Sequence, residues 1–426
     1  MSRDDLPYQA EPEQPPPGRR RWVILGLIIL VLTAYLVANY APAPSVSSPD
    51  LSSYSSPGEW AMGRYDPNRS GRTEGPASPL QGKLAWKLGT SAPLYSSPAV
   101  VGGILYQATG DHRVLALNAY DGRVVWEKQV SGPVDSSPAV AEEFLYLGLR
   151  DGYLLALNSL SGEERWRFYA ESPIFSSPVV AGGRLFFTSW GGTLYALDAV
   201  TGRMLWRFSV ASTLSASPAV EGEVVSVASH DGTVYFLGVS KGVKLFDYPA
   251  RRGTTASGAL VNSIAYQGFG DSQLRAIDGR ERELPLERRI YWLQQQAAVW
   301  LFMPSPPPPK GLVWTFRARR AINTSPAVAL GIIYVGSNDH RVYAVDAATS
   351  QERWSFLTGD AVESAPVVAG ETLYVGSNNG RLYALDAISG VERWHFDTDG
   401  PIQSSPVVAE GMVFIASEDG VLYALR

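Results

Sequence analysis

The stretch SSPAV at residues 96–100 recurs along this chain and decides its fold. Related versions mark the chain every forty residues, at Pro98, Pro138, Pro178, Pro218 and Gly258. The spacing resumes at Pro326, Pro366 and Pro406 after a gap of 68 residues, which is one repeat plus 28 inserted residues. We call these positions the repeat marks. The sequence therefore contains eight repeats, and a fixed period of this length is typical of repeat architectures.

Each repeat carries the pattern of a small antiparallel sheet. In the first repeat, ILYQATG (104–110), RVLALN (113–118) and RVVWEKQ (123–129) are rich in β-branched and aromatic residues, and glycine-containing turns separate them. With SSPAV they predict four strands. Four-stranded units at this spacing favour propeller blades over helical solenoids, which would need a period of about 3.6 residues. We predict an all-β, eight-bladed propeller over residues 59–426.

The two ends of this region complement each other. The last repeat stops at GVLYALR (420–426) without its fourth strand, whereas GKLAWKL (82–88) is a fourth strand that follows no partners. We predict that the N-terminal strand completes the last blade. Such a closed ring leaves no open sheet edge.

An aromatic residue stands twelve residues before every repeat mark: Trp86, Trp126, Trp166, Trp206, Phe246, Trp314, Trp354 and Trp394. Segments such as ALNAYDGRVVW (116–126) and ALDAISGVERW (384–394) resemble the tryptophan-docking motif of quinoprotein, or pyrroloquinoline-quinone-like (PQQ-like), eight-bladed propellers. EWAMGRYDPNRSGR (59–72) is similar to the lead-in before many of these propellers. The resemblance implies that the aromatic residues wedge between neighbouring blades and serve a structural purpose.

The propellers that this sequence resembles include both enzymes and binding proteins. The alcohol and sugar dehydrogenases among them hold the quinone in the channel against a tryptophan and, often, a disulfide of adjacent cysteines, with a bound calcium ion. This chain has no cysteine, and seven of its repeats are bare forty-residue units, as in the non-catalytic, BamB-like type. We predict a non-catalytic, protein-binding scaffold without a cofactor. A PQQ- and calcium-dependent dehydrogenase is the alternative, and a glycan or cell-wall binding module is a third possibility.

The N-terminal region predicts a membrane anchor. No charged residue follows Arg21 until Asp50, and residues 22–40 are apolar enough and long enough for one bilayer span of about 20 residues. Arginines at 19–21 favour a cytoplasmic tail at 1–21, and the Pro/Ser-rich residues 41–58 predict a disordered tether. A cleaved signal peptide is the alternative. We expect a single-pass protein of the cell membrane with an extracytoplasmic propeller.

The net charge of −5 and the pI near 5.6 argue against nucleic acid as a partner. Histidines 112 and 340 occupy equivalent turns, whereas His230 and His395 have no evident partners, so no metal or catalytic residue is predicted. Recurrent aspartates such as Asp231 are interpreted as turn formers.

The loop that enters each repeat contains one variable position. Four residues before each mark the residue is almost always apolar, and the next residue varies: Tyr95, Asp135, Phe175, Ser215, Thr255, Asn323, Glu363 and Gln403. We predict that this column rings the mouth of the central channel and binds a ligand, peptide or partner protein; ordinary solvated loops are the alternative. The predicted rim has a cationic sector, comprising Arg251, Arg252, Arg317, Arg319 and Arg320. It has an acidic sector of Asp360, Glu363, Asp397 and Asp399.

The insertion at 279–310 in the fifth repeat contains apolar residues that a blade does not need, among them Tyr291, Trp292, Trp300 and Phe302. We predict a contact with the membrane headgroup region or with a partner protein, and packing on the side of the propeller is the alternative.

Overall fold

The computed structural model describes residues 59–74, 80–250, 253–283 and 309–426. Within these ranges the chain forms eight antiparallel sheets, which confirms the predicted propeller. No helix in these ranges is long and apolar enough to cross a membrane. The predicted tail at 1–21, transmembrane helix at 22–40 and tether at 41–58 lie outside the described residues.

In blades 1 to 7, four strands follow one another in the chain from the channel outwards. Blade 1 consists of Ala99–Val101, Ile104–Thr109, Arg113–Asn118 and Val124–Gln129, and blade 2 of Ala139–Ala141, Phe144–Gly148, Tyr153–Asn158 and Glu164–Tyr169. Blade 3 consists of Val179–Ala181, Arg184–Ser189, Thr193–Asp198 and Met204–Ser209, and blade 4 of Ala219–Glu221, Val224–Ala228, Thr233–Gly238 and Lys244–Pro249. Blade 5 consists of Ala259–Val261, Ile264–Gly268, Gln273–Asp278 and Leu312–Arg317. Blade 6 consists of Ala327–Ala329, Ile332–Ser337, Arg341–Asp346 and Glu352–Leu357, and blade 7 of Val367–Ala369, Thr372–Gly376, Arg381–Asp386 and Glu392–Asp397.

Blade 8 joins the two ends of the propeller. Its inner strands are Val407–Ala409, Met412–Ala416 and Val421–Leu425, and its outermost strand is Leu84–Gly89. Trp86 pairs with Ala424, and the backbones of Lys83 and Arg426 exchange two hydrogen bonds of 2.8 Å. The predicted closure is confirmed.

One strand has no counterpart in the repeat pattern. Arg72–Thr73 runs parallel to the innermost strand of blade 7, which makes that sheet five-stranded. The four predicted antiparallel strands of blade 7 are confirmed, and Arg72–Thr73 adds a fifth from outside the repeat. A two-residue strand leaves no periodicity in the sequence, so only the placement of its chain against the channel wall reveals it.

The recurrent aromatic residues dock each blade onto the next one. The Trp126 indole donates a 2.9 Å hydrogen bond to the carbonyl of Ser159. Its ring packs so closely on Gly162 that a Cβ at that position would lie 2.8 Å from the ring. Equivalent indole bonds of 2.7–3.1 Å are made by Trp86, Trp206, Trp314, Trp354 and Trp394. Trp166 and Phe246 likewise face Gly202 and Gly311. The predicted structural role is confirmed.

The two serines of the repeated motif have different partners. In blade 2 the first, Ser136, donates to the carbonyl of Gly148 in its own sheet at 2.9 Å. The second, Ser137, donates its backbone N–H to the hydroxyl of Ser177 in the next blade at 3.1 Å. The same bond between blades links Ser405 to Ser97, Ser97 to Ser137, Ser177 to Ser217 and Ser217 to Ser257. The motif therefore recurs because it joins neighbouring blades around the channel.

Candidate functional site: the central channel and its two ends

One face of the ring carries the loops that enter the innermost strands and the hairpins between the second and third strands; we call it the mouth face. The apolar position of each entering loop is buried, as expected, from Leu94 in blade 1 to Ile402 in blade 8. The next residue is exposed or half-buried at the start of the innermost strand. The structure places the predicted column there: Tyr95, Asp135, Phe175, Ser215, Thr255, Asn323, Glu363 and Gln403.

A second column on the mouth face was missed in the sequence. It follows the second strand of each blade, twelve residues after the repeat mark: Gly110, Arg150, Trp190, His230, Gly270, Asn338, Asn378 and Glu418. The backbone N–H of Trp190 donates to Pro173 in the entering loop at 2.8 Å, and His230 donates to Thr213 at 3.0 Å. The sequence contains the signal that would have identified this column, because the residue type at this position varies between repeats as freely as in the first column.

The two columns contact each other across blades 2 and 3. Asp135 forms an ion pair with Arg150, whose guanidinium lies 5.6 Å from the centroid of the Phe175 ring. Phe175 packs edge-on against Trp190 at 5.4 Å between ring centroids. The Trp190 side chain is 40% exposed, so this packed group still presents an aromatic surface to solvent.

The contacts continue into blade 4 through His230. Its ring lies 5.0 Å from the Trp190 ring, and its Nε2 is 2.7 Å from the hydroxyl of Ser215. His395 also has a partner, because its Nδ1 lies 2.6 Å from Glu392. The expectation that these two histidines lack partners was wrong, since residues far apart in the sequence supply the contacts to His230. We call Arg150, Phe175, Trp190 and His230 the aromatic sector.

Blades 6 to 8 present a different surface to the mouth. Asn338, Asn378 and Glu418 occupy the second column there, and one side-chain oxygen of each is buried without a hydrogen-bond partner among the described residues. Burial raises the pKa of Glu418, and the charge of Glu363 raises it further. This sector therefore consists of amides and carboxylates and attracts hydrogen-bond donors.

The predicted cationic sector combines residues at different distances from the channel axis. Arg251 and Arg252 lie outside the described residues. Arg317 ends the outermost strand of blade 5 on the mouth face, paired with Gln273 and three strands out from the channel wall. Arg319 and Arg320 are exposed on the loop that leads to Asn323.

The acidic sector also combines residues at different distances from the channel axis. Asp397 also lies on an outermost strand, in blade 7, where it pairs with Arg381 at 2.6 Å. Glu363 does stand at the entrance to the innermost strand of that blade. Spacing from a repeat mark measures position along the chain and ignores the distance from the channel axis, which is why the prediction grouped inner and outer residues.

The chain itself closes the other end of the channel. Residues 59–74, which we call the plug segment, hydrogen-bond to the innermost strands. Trp60 and Val100 exchange two backbone bonds of 2.6 and 2.7 Å in blade 1. Further plug carbonyls accept N–H groups from blades 2, 4, 5, 6 and 7, at Val140, Val220, Leu260, Val328 and Val368. The motif at 59–72 was noticed in the sequence, but its position inside the channel was not predicted.

The plug segment buries two arginines. Arg64 is 3% exposed and donates to the carbonyls of Pro326, at 2.6 Å, and Pro366. Burial lowers the pKa of Arg64 to about 9, and the nearby charge of Arg69 contributes. Asp66 accepts hydrogen bonds from the backbone and hydroxyl of Ser70, and burial raises its pKa.

A groove of about 410 Å³ lies beside the plug segment on the face opposite the mouth, against blades 3 and 4. Tyr65, Asn68, Arg184 and Glu221 are among its lining residues. The predicted contact residues of the insertion, Tyr291, Trp292, Trp300 and Phe302, lie outside the described residues. In the part of the chain that is described, no group of three or more His, Asp or Glu residues is placed to hold a metal ion.

Comparisons with known proteins agree with this architecture. A search of curated protein sequences finds no significant match. BamB from Moraxella catarrhalis has a similar structure, with 16% identity, a TM-score of 0.66, and coverage of 81% of this chain and 100% of that one. Quinohemoprotein alcohol dehydrogenase from Comamonas testosteroni has 15% identity, a TM-score of 0.70, and coverage of 86% and 80%.

A computationally designed protein, Ika8, is similar at 15% identity and a TM-score of 0.68, with coverage of 81% of this chain and 100% of that one. At such identities these structures establish the fold only. The family model for outer membrane protein assembly factor BamB matches residues 76–177, 150–291, 307–366 and 359–426, most of the propeller. The chain therefore belongs to this family of BamB-like, PQQ-like propellers.

Proposed function

We propose that this protein is a non-catalytic scaffold that binds an extracytoplasmic protein through the mouth face of its propeller. The observation that carries the proposal is the aromatic sector. Trp, Tyr and Arg dominate the binding energy of protein interfaces. Here Trp190 is 40% exposed and Tyr95 is 47% exposed on the same face.

The aromatic sector is also organised before any partner binds. Arg150 is held by Asp135, and Trp190 is held between Phe175 and His230. Side chains that are already fixed lose little conformational entropy on binding, so more of the contact energy contributes to affinity. The family description, which names an assembly factor, is consistent with a protein partner.

We further propose that residues 22–40 anchor the protein in the cell membrane as one span, with the propeller on the extracytoplasmic side. The support is the run of apolar residues and the arginines at 19–21 that precede it. The tether at 41–58 would then connect the anchor to the plug segment.

The resemblance to quinone-dependent dehydrogenases gives the alternative function. The chain has no cysteine, and its described residues offer no cluster of three or more acidic or histidine ligands. Both features support the scaffold proposal over a site for quinone and calcium. Turnover in a dye-linked alcohol or sugar assay, after addition of PQQ and calcium, would favour the oxidoreductase over the scaffold.

Site-specific photo-crosslinking in native membranes tests the scaffold proposal. We expect a photoreactive residue at Tyr95 to give a discrete adduct with one protein, and Trp190→Ala to reduce that adduct at least twofold. A photoreactive residue at Leu160 is the matched control, because this side chain is 68% exposed on the opposite face. The proposal would be contradicted by adducts at position 160 alone, or by an adduct at position 95 whose yield is unchanged by Trp190→Ala.

A further inference from the structure

The interior of the channel contains two guanidinium groups with too few partners. Arg69 is 5% exposed, and among the described residues its guanidinium makes one hydrogen bond, from Nη1 to the carbonyl of Gly63, at the long distance of 3.4 Å. The Nε atoms of Arg64 and Arg69 are buried with no acceptor among the described residues. A buried charge is costly unless it is paired or fully hydrogen-bonded.

The side chain of Arg69 lies inside the channel. Its neighbours in the plug segment, Asn68 and Ser70, bond to blades 5 and 6, yet its guanidinium reaches Gly63, which borders Ser177 of blade 3. A Cβ on Gly63 would lie 3.2 Å from the Cβ of Ser177 and 3.6 Å from Nη1 of Arg69. The guanidinium is therefore next to the ring of serines around the channel.

No carboxylate compensates these two charges at close range. Within the described ranges, neither Arg64 nor Arg69 has an acidic group within ion-pair distance of 4.0 Å. Asp66 is the acidic residue of the plug segment whose charge acts on Arg64 and Arg69, and its oxygens accept bonds from Ser70 at 2.7 and 2.5 Å. Burial lowers the pKa of Arg69 to about 10, which reflects the cost of keeping this charge in the interior.

The wall at this depth also supplies hydrogen-bond donors. The hydroxyls of Ser97, Ser137, Ser177, Ser217 and Ser257 each accept a backbone N–H from a neighbouring blade. Among the described residues no acceptor receives their hydroxyl protons, and all five serines are at most 9% exposed. A guanidinium with an unpaired Nε beside the Ser177 hydroxyl makes a lining suited to an anion.

We propose that the central channel binds one small anion, a carboxylate or an inorganic oxyanion, between the guanidinium of Arg69 and the serine ring. Arg64 contributes from the side of blades 6 and 7, where it is held by the carbonyls of Pro326 and Pro366. These prolines follow the mouth column by three residues and precede the innermost strands of blades 6 and 7. The plug segment closes the channel beneath this site.

Titration calorimetry on the detergent-solubilised full chain tests this site. The probes are sodium phosphate, sulfate, chloride and acetate at matched ionic strength. We expect one of them to bind saturably with one ion per chain, and Arg69→Gln to weaken that binding at least tenfold. Arg203→Gln is the control, because Arg203 is exposed in a hairpin on the face opposite the mouth, and we expect unchanged affinity.

The choice of probe separates the two sources of such an anion. Tightest binding of acetate indicates a carboxylate, such as the end of a peptide, whereas tightest binding of phosphate or sulfate indicates a free oxyanion. Ser177→Ala, checked for folding by circular dichroism, serves as a second variant and should weaken binding several-fold. The inference is overturned if none of the four ions binds saturably, or if both Arg69→Gln and Ser177→Ala bind like the wild type.

Discussion

At the scale of single residues, each blade junction matches one aromatic ring to one small residue. Gly162 has φ of 73°, and a Cβ there would lie 2.8 Å from the ring of Trp126. Blade 6 carries Ser350 at the equivalent position with φ of 61°, so a small side chain is tolerated there with backbone strain. The glycine is thus preferred both for its left-handed backbone and for the close approach of the ring.

Two alanine substitutions separate these contributions. Gly102 has φ of 59°, and no heavy atom lies within 4 Å of the point that a Cβ would occupy, so Gly102→Ala should cost only the backbone strain, about 1 kcal/mol. Gly162→Ala adds the contact with Trp126 and should cost about 2–4 kcal/mol. Urea unfolding of both variants measures the difference. An equal loss of unfolding free energy in the two variants would show that the contact with the Trp126 ring adds nothing to the cost of Gly162→Ala.

At the scale of elements, the plug segment shows how one short stretch can unite the ring. Trp60 is 1% exposed, bonds to Val100 of blade 1, and packs 5.3 Å from the ring of Tyr65. The sequence of the plug segment has no strand periodicity, yet its backbone carbonyls accept hydrogen bonds from the innermost strands of six blades. The segment therefore stabilises the inner wall from within.

A pair of tryptophan substitutions distinguishes the plug from the mouth. Trp60→Ala should lower the free energy of unfolding by about 3–5 kcal/mol, because it removes a fully buried side chain. Trp190→Ala should cost less, about 1 kcal/mol, because its side chain is 40% exposed. Thermal and urea unfolding provide the measurements. A small effect of Trp60→Ala would mean that the plug contributes little to the ring.

At the scale of the whole molecule, the ring is closed by hydrogen bonds between chain ends. The strand Leu84–Gly89 supplies the outer edge of blade 8, and the indole of Trp86 docks onto blade 1 through Ala119. Opening this junction would expose two sheet edges at once. Unpaired edges are templates for aggregation.

Deletion of residues 421–426 tests the closure. We expect the truncated protein to lose its cooperative unfolding transition and to aggregate, because Leu84–Gly89 then has no partner strand. Deletion of Arg426 alone is the control and should leave a folded monomer, since the five residues of Val421–Leu425 remain. Size-exclusion chromatography and circular dichroism report both properties. A soluble, cooperatively folded protein after the longer deletion would disprove the role of closure.

The sequence by itself determined the repeat period, the number of blades, the closing strand and the docking role of the aromatic residues. These features depend on patterns within about forty residues that recur along the chain, so propensity and spacing are enough to show them. The column that includes Tyr95 was predicted for the same reason, although its binding function stays a prediction.

Only the tertiary structure decided the plug, the aromatic sector and the distance of each charge from the channel axis. Arg64 bonds to Pro366, 302 residues away, and Trp190 meets His230 across a blade junction. Such contacts depend on ring closure, which brings together loops that share no local pattern. Because a residue's distance from the axis is set by which strand it occupies, spacing alone grouped Arg317, on an outermost strand, with residues that enter the innermost strands.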